Sequence, residues 1–448
     1  MSYRPVAGIL QIAAVAAVAI LATESSVGAE SSILDYDSAG HLRKLRDVAP
    51  ETPRASGQTQ SGQAPDTASP EKFDPDTWFE PDQVLIANPP ANFEDTVRFE
   101  GFHILQKVPL KALAMEVWRV HTPDKTDVSG AVAQLRQEFP GLLVDADHLY
   151  QQSAGPASAA MASQARAIIG WSDLDPGCGT GIKIGMVDTP VDVTHRALAG
   201  QKIVYRSFIL PSRTPAPADH GTAIAAMLVG KPGNDGLGGL LPGAELLAGN
   251  IFTFNDQGAE MADVVALLRA LDWLTAEKVQ VVNLSMAGAD NRLMHQVVEQ
   301  AGARGMVLVA AVGNWGTTDR PAYPAAYAQA IGVTAVDAND SIYSYANRGS
   351  YVAFAAPGVQ IWTAVPGGGR FQSGTSFAVP YLTSVIATEM AAGRAPSAER
   401  IRDLLSHEAV DLGPPGKDDT FGWGLIRTPP LCNQGGAPQN PDAADAAR

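Results

Sequence analysis

Gln372-Ser-Gly-Thr-Ser-Phe-Ala-Val-Pro380 (QSGTSFAVP) decides how this chain is read. It sets Ser376 among small residues, directly before an apolar run of helical character. Ser, Gly and Thr suit a helix N-terminus, where backbone N–H groups lack intrahelical partners and the helix dipole favours negative charge. Pro380 has no N–H to give to the carbonyl four residues back, so the spacing predicts a helix that begins at about Ser376. The hydroxyl then stands at the helix mouth. Read alone, the stretch serves equally well as an ordinary N-cap.

The surrounding chain is built of short apolar runs alternating with helical patterns. Strands are expected at 182–187, 244–252, 279–284, 306–311 and 331–336, with helices at 259–278, 293–304 and 397–409. Runs this apolar fit strands buried on both faces, which implies an α/β fold: a parallel sheet with helices on both sides. In such a sheet, sites gather at the carboxyl ends of the strands. Asp188 ends the first strand. His220 opens a small-residue helical stretch, His-Gly-Thr-Ala. Asn314 follows the strand at 306–311 within Gly-Asn-Trp-Gly. Each alone reads as a loop cap, a core histidine or a turn.

Taken together they form a complete acyl-transfer set. A neutral serine alcohol needs a base, and histidine is the natural one near neutral pH. A carboxylate on the other ring nitrogen holds the useful tautomer and stabilises the imidazolium. Asn314 Nδ2 and the Ser376 N–H can donate to a tetrahedral oxyanion.

Asp-Thr at 188–189, His-Gly-Thr at 220–222, Asn-Leu-Ser at 283–285, Gly-Asn at 313–314 and Gly-Thr-Ser-Phe-Ala-Val-Pro at 374–380 resemble the subtilisin-like serine peptidases in residues and in order. The resemblance runs from about Gly170 to Leu425. It implies Ser376 as nucleophile, His220 as general base, Asp188 as its orienter and Asn314 as oxyanion donor. It also implies a substrate-binding strand at Ser285, Met286, Ala287 and Gly288, with Trp315 near the floor of the primary specificity pocket. Two departures stand out: Pro190 replaces a glycine usual in the family, which could reshape the Asp188 loop, and Ala287 replaces another, which implies a narrowed pocket. His195 reads as a structural residue of the Asp loop. Two alternatives stay open: a carboxyl-type serine peptidase of the sedolisin kind, disfavoured by His220, and an exported binding protein with a degenerate site.

Upstream, 78–151 reads β-α-β-β-α-β, the order of a small ferredoxin-like module. Before a subtilisin-like domain it resembles a propeptide that assists folding and inhibits the enzyme, with its last strand in the cleft. A large parallel sheet is rich in non-local contacts and folds slowly, which gives such an assistant a purpose. The remaining segments are expected as a signal peptide at 1–29, a disordered spacer at 30–77, a linker at 152–169, a peptidase domain at 170–432 and a disordered tail at 433–448. The apolar stretch from Val6 to Ala22, followed by Val27-Gly28-Ala29, implies export to the periplasm or the extracellular space, with a retained anchor as the alternative. In an exported chain two cysteines, Cys178 and Cys432, are a candidate disulfide. The net charge of −15 argues against nucleic acid as the main partner. A monomer acting on polypeptides is expected. No cofactor is required by this chemistry. Relatives in the family often bind calcium, but no loop has a clear oxygen-ligand pattern.

Overall fold

The computed structural model describes residues 33–36, 42–46, 78–152, 168–169, 175–233, 235–254, 258–394, 397–428 and 431. The expected signal peptide, most of the linker, the tail and Cys432 lie outside these. In the stretch expected as a spacer, β1 (Ile33–Tyr36) and β2 (Leu42–Arg46) form an antiparallel pair.

The upstream module comprises β3 (Phe79–Ala87), α1 (Phe93–Phe99), β4 (His103–Leu110), β5 (Met115–His121), α2 (Val128–Glu138) and β6 (Leu143–Gln152). Its strands lie in the order β6-β3-β5-β4, all antiparallel, as a β-α-β-β-α-β chain requires to bring its two halves together. Asp127 caps α2 by accepting from the Gly130 N–H at 2.6 Å. The last strand runs to Gln152, one residue past the expected boundary.

Next come β7 (Lys183–Asp188), β8 (Ile203–Ser207), α3 (Asp219–Val229), β9 (Glu245–Asn250), β10 (Phe252–Phe254), β11 (Glu260–Asp263), α4 (Val264–Ala276), β12 (Val281–Leu284), β13 (Met286–Gly288) and α5 (Arg292–Ala303). They are followed by β14 (Val307–Ala311), β15 (Ala330–Val336), β16 (Val352–Pro357), β17 (Ile361–Val365), β18 (Gly368–Gln372), α6 (Thr375–Ala391) and α7 (Ala398–Glu408). Seven strands form a wholly parallel sheet in the order β16-β15-β14-β12-β7-β9-β8. The doubly covered α/β sheet expected from the apolar runs is what forms.

Alternation along the strands assigns each side chain to a face. Ile184, Met186, Leu246, Ala248, Val309 and Ala311 join a core with α3 and α6. Val187, Leu247, Val282, Leu284, Leu308 and Ala310 join a second core with α4 and α5. Helix α6 is buried from Thr375 to Glu389 and packs on β12, β14, β15 and β16. Cys178 is buried in the first core.

The module's sheet follows the same rule. Val84, Ile86, Trp118, Val120 and Val144 point to α1 and α2. Leu85, Ala87, Val108, Leu110, Met115 and Val117 point the other way, into the core that holds α4 and α5. The central strands of the module's sheet are therefore covered on both faces, the larger domain's helices completing the second layer, while the first half of the edge strand β4 stays exposed.

One expected element differs. The helix expected at 259–278 starts only at Val264. Asp263 caps it, accepting from the Ala266 N–H at 2.9 Å, and Glu260–Asp263 is a strand. That strand, β11, pairs antiparallel with β6, while β13 pairs with β6 along its other edge. Tyr150 therefore has a strand on each side, opposite Ala262 and opposite Gly288.

Candidate active site

Asp188, His220 and Ser376 come from three separate elements: the end of β7, the first turn of α3 and the first turn of α6. All three are buried. His220 Nδ1 lies 2.7 Å from Asp188 Oδ1. A carboxylate only accepts, so Nδ1 carries the proton and donates, leaving Nε2 as the basic nitrogen of the neutral ring. The Thr189 N–H also donates to Asp188 Oδ1, at 2.7 Å, and holds the carboxylate in place. The Phe377 ring packs beside His220 with centroids 5.4 Å apart.

The Asp loop tolerates Pro190. The chain turns over α3 because residue 221 is glycine: a Cβ there would lie 2.3 Å from the Thr189 carbonyl oxygen and 2.6 Å from that of Pro190. The Gly221 N–H donates to Thr189 Oγ1 at 2.7 Å, locking the loop onto the helix that carries the histidine. His195 is satisfied as a structural residue. Its Nδ1 accepts from the Ala197 N–H at 3.1 Å and its Nε2 donates to the Gly368 carbonyl at 2.9 Å.

At the helix mouth, Gly374 precedes the first turn and Ser376 Oγ donates to the Ser285 carbonyl at 3.1 Å. The reverse contact exists too. Ser285 Oγ donates to the Ser376 carbonyl at 2.9 Å, the carbonyl that Pro380 leaves without its helical partner. Asn283 Nδ2 donates in turn to Ser285 Oγ at 2.9 Å, and Thr383 Oγ1 to Asn283 Oδ1 at 3.3 Å. His220 Nε2 is buried and has no hydrogen-bond partner among the described residues.

Asn314 is oriented by Thr375, whose N–H and Oγ1 donate to Asn314 Oδ1 at 3.1 and 2.9 Å. An amide held by its oxygen points its Nδ2 donors to the opposite side. Trp315 is half-buried in the following turn, its N–H donating to Asn347 Oδ1 at 2.9 Å.

Ser285 touches Ser376, and Met286, Ala287 and Gly288 form β13. This strand pairs with the end of β6 in the register Met286–Gln152, Ala287–Gln151 and Gly288–Tyr150. Tyr150 is fully buried, and its hydroxyl donates to the Ala289 carbonyl at 3.1 Å. A Cβ on Gly288 would lie 2.4 Å from the ring, so only glycine leaves room for it. Sequence reasoning did not single out Tyr150 or Glu260. Nothing local marks Tyr150 as other than a core residue. Glu260 could have been found from the capping aspartate, which ends the strand three residues later.

Where the module meets the larger domain, Arg119 lies between two carboxylates, Asp147 and Asp263, each at 2.8 Å. Asp147 is fully buried, and desolvation pushes its carboxyl up to about 8 against the opposing pull of Arg119, which it shares with Asp263. Asn291 Nδ2 donates to the Ala146 carbonyl at 2.9 Å, and the Arg292 N–H to Asp145 Oδ2 at 2.9 Å. Among the described residues, no group of three or more His, Cys, Asp or Glu is placed to hold a metal ion, and no helix is long and apolar enough to cross a membrane.

The Subtilase family model matches residues 179–424, more than half of the chain. Thermitase of Thermoactinomyces vulgaris is 34% identical over 242 residues, covering 53% of this chain and 84% of thermitase. Subtilisin DY of Bacillus licheniformis is 30% identical over 257 residues, covering 55% of this chain and 89% of that protein. Minor extracellular protease Epr of Bacillus subtilis (strain 168) is 31% identical over 252 residues, which cover 56% of this chain but only 38% of Epr. Among solved structures, fervidolysin of Fervidobacterium pennivorans, a keratinolytic enzyme related to subtilisin, superposes with a TM-score of 0.64 at 23% identity. The match covers 79% of this chain and 61% of that one, a likeness of fold. By family match and by identity alike, the chain belongs to the subtilase family, the subtilisin-like serine peptidases.

Proposed function

We propose that this chain is an exported serine endopeptidase, made as a precursor that inhibits and then processes itself. The observation that carries the reading is the 2.7 Å contact of His220 Nδ1 with Asp188, with Ser376 at a helix mouth beside the strand that pairs with β6. Ser376 Oγ attacks the substrate carbonyl while His220 Nε2 takes its proton, and Asp188 stabilises the imidazolium. Asn314 Nδ2 and the Ser376 N–H receive the oxyanion, each such donor being worth roughly 3–4 kcal/mol of barrier. His220 returns the proton to the departing amine. Water, deprotonated by the same ring, then releases the acyl group. The substrate lies as an antiparallel strand on Met286–Gly288.

In the precursor the module supplies that strand itself, through Tyr150, Gln151 and Gln152. The next residue in sequence is Ser153, outside the described residues, and the residue before Met286 is Ser285, in contact with Ser376. We assign the self-cleaved bond to Ser153–Ala154. A serine there suits a pocket narrowed by Ala287, with Trp315 at its floor. The name of Epr, an extracellular protease, agrees with export. The proposal includes a Cys178–Cys432 bridge, which a mobility shift on reduction of the full chain would register.

The test is labelling of Ser376 with a fluorophosphonate. The processed chain should label at one site, and both Ser376→Ala and His220→Ala should abolish it. A folded chain that never labels would overturn the assignment.

A further inference from the structure

Beside His220 lies a cavity of about 400 Å³, lined by Gln152, Pro217, Asp219, Glu260, Arg370 and Gln372 as well as the imidazole. It holds one side chain of the strand that occupies the substrate's place: Gln152 Nε2 donates to Glu260 Oε2. The other acidic group is already matched, since Asp219 Oδ1 lies 2.6 Å from Arg370. Glu260 is therefore the carboxylate whose partner comes from the bound strand, and its place on β11 is set by the same ladder that seats Tyr150. Its carboxyl is raised by burial and drawn back down by His220, so it sits within electrostatic reach of the catalytic base.

We propose that Glu260 makes this peptidase select a cationic or hydrogen-bond-donating side chain at the position of Gln152, the second residue on the acyl side of the cleaved bond. The preferred substrates are polypeptides with lysine, arginine or glutamine there. This rests on the self-processing reading above, which sets the position of the bond. A carboxylate gains more from a cation than from an amide, because charge-assisted hydrogen bonds are the stronger class. An aspartate or glutamate at that position meets Glu260 as a like charge, and an aliphatic side chain leaves the carboxylate without its partner.

The experiment uses the processed full chain and fluorogenic peptides Tyr-Gln-Xaa-Ser, with Xaa as Lys, Arg, Gln, Leu or Glu. The expected order of kcat/KM is Lys and Arg, then Gln, then Leu, with Glu last, and about tenfold separates Arg from Leu. Glu260→Gln should compress that ratio to about twofold, and Glu260→Lys should place Glu above Arg. A second arm needs no activity. In the full-length Ser376→Ala chain, Gln152→Glu should speed amide exchange at Tyr150–Gln152 about tenfold, and Glu260→Gln should remove most of that effect. An Arg-to-Leu ratio of kcat/KM that is the same in the parent and in Glu260→Gln, together with exchange indifferent to residue 152, would overturn the proposal. Exchange coupling without hydrolysis of any peptide would support the Glu260 contact while removing the peptidase reading, so the two fail separately.

Discussion

Tyr150→Ala, made in a full-length Ser376→Ala chain so that the proposed cleavage cannot intervene, probes the contact that seats β6 between β11 and β13. The ring is fully buried between β11 and β13. Both flanking strands are pinned by their own pairing to β6, so the site has little freedom to collapse after truncation. Removing a buried aromatic under those conditions costs about 3–5 kcal/mol. The lost hydrogen bond to the Ala289 carbonyl adds about 1 kcal/mol, so about 4 kcal/mol is a conservative sum. That corresponds to a roughly 10³-fold rise in the local opening constant. Amide exchange at Leu149–Gln152, read by mass spectrometry, should accelerate by that factor while exchange in β7 and β12 stays unchanged. Tyr150→Phe separates the hydroxyl from the ring and should cost only about 1 kcal/mol. If Tyr150→Ala exchanges within about fivefold of its parent, the backbone ladder alone holds the strand and the ring is not its anchor.

Two further outcomes follow from contacts already described. Gly221→Ala drives a methyl against the Thr189 and Pro190 carbonyls and must displace either the Asp loop or the first turn of α3. Fluorophosphonate labelling should slow at least about tenfold while α3 retains its circular dichroism, because about 1.4 kcal/mol of lost alignment already gives that factor. The Asp147 carboxyl stands at about 8 in the folded chain, above its ordinary value, so folding favours its protonated form. That stabilisation is complete below the unfolded pKa, falls by at most about 1.4 kcal/mol per pH unit, and is gone once pH passes about 8. Urea midpoints of the Ser376→Ala chain should drop between pH 6 and pH 8.5, and Asp147→Asn should flatten that slope.

The parts legible in the sequence are those with a strong local cause. Continuous apolar runs mark the parallel strands, because a strand buried on both faces has no polar side to alternate with. Ser376 is legible because Pro380 forces a helix start beside it. Asp188, His220 and Asn314 become legible only through one another, in their order along the chain. The strand β11 has the sequence look of a first helical turn, since Glu260–Asp263 has neither β-branched residues nor clean alternation. It is a strand because β6 pairs with it, a partner more than a hundred residues away. Tyr150 and Glu260 share that difficulty. Their roles come from what lies opposite them in the ladder, and register between distant strands leaves no mark on either segment. Pro190 showed the converse. It suggested a reshaped loop, yet the Asp188–His220 contact is intact because the close approach is made at Gly221.

The two-sided sheet of the module gives its departure a direction. While docked, Leu85, Val108, Leu110 and Val117 lie in the same core as Leu268 and Leu271 of α4. After separation each partner keeps its half of that apolar surface, but they do not suffer equally. The larger domain retains its sheet, its second core and its central helix. The module keeps one layer of helix on one face of sheet and loses the other cover altogether, and a domain of that size has little stability to spare. In the proposed self-processing, undocking would therefore be a one-way step: the released module would unravel and be consumed, and its disappearance would draw the equilibrium after it.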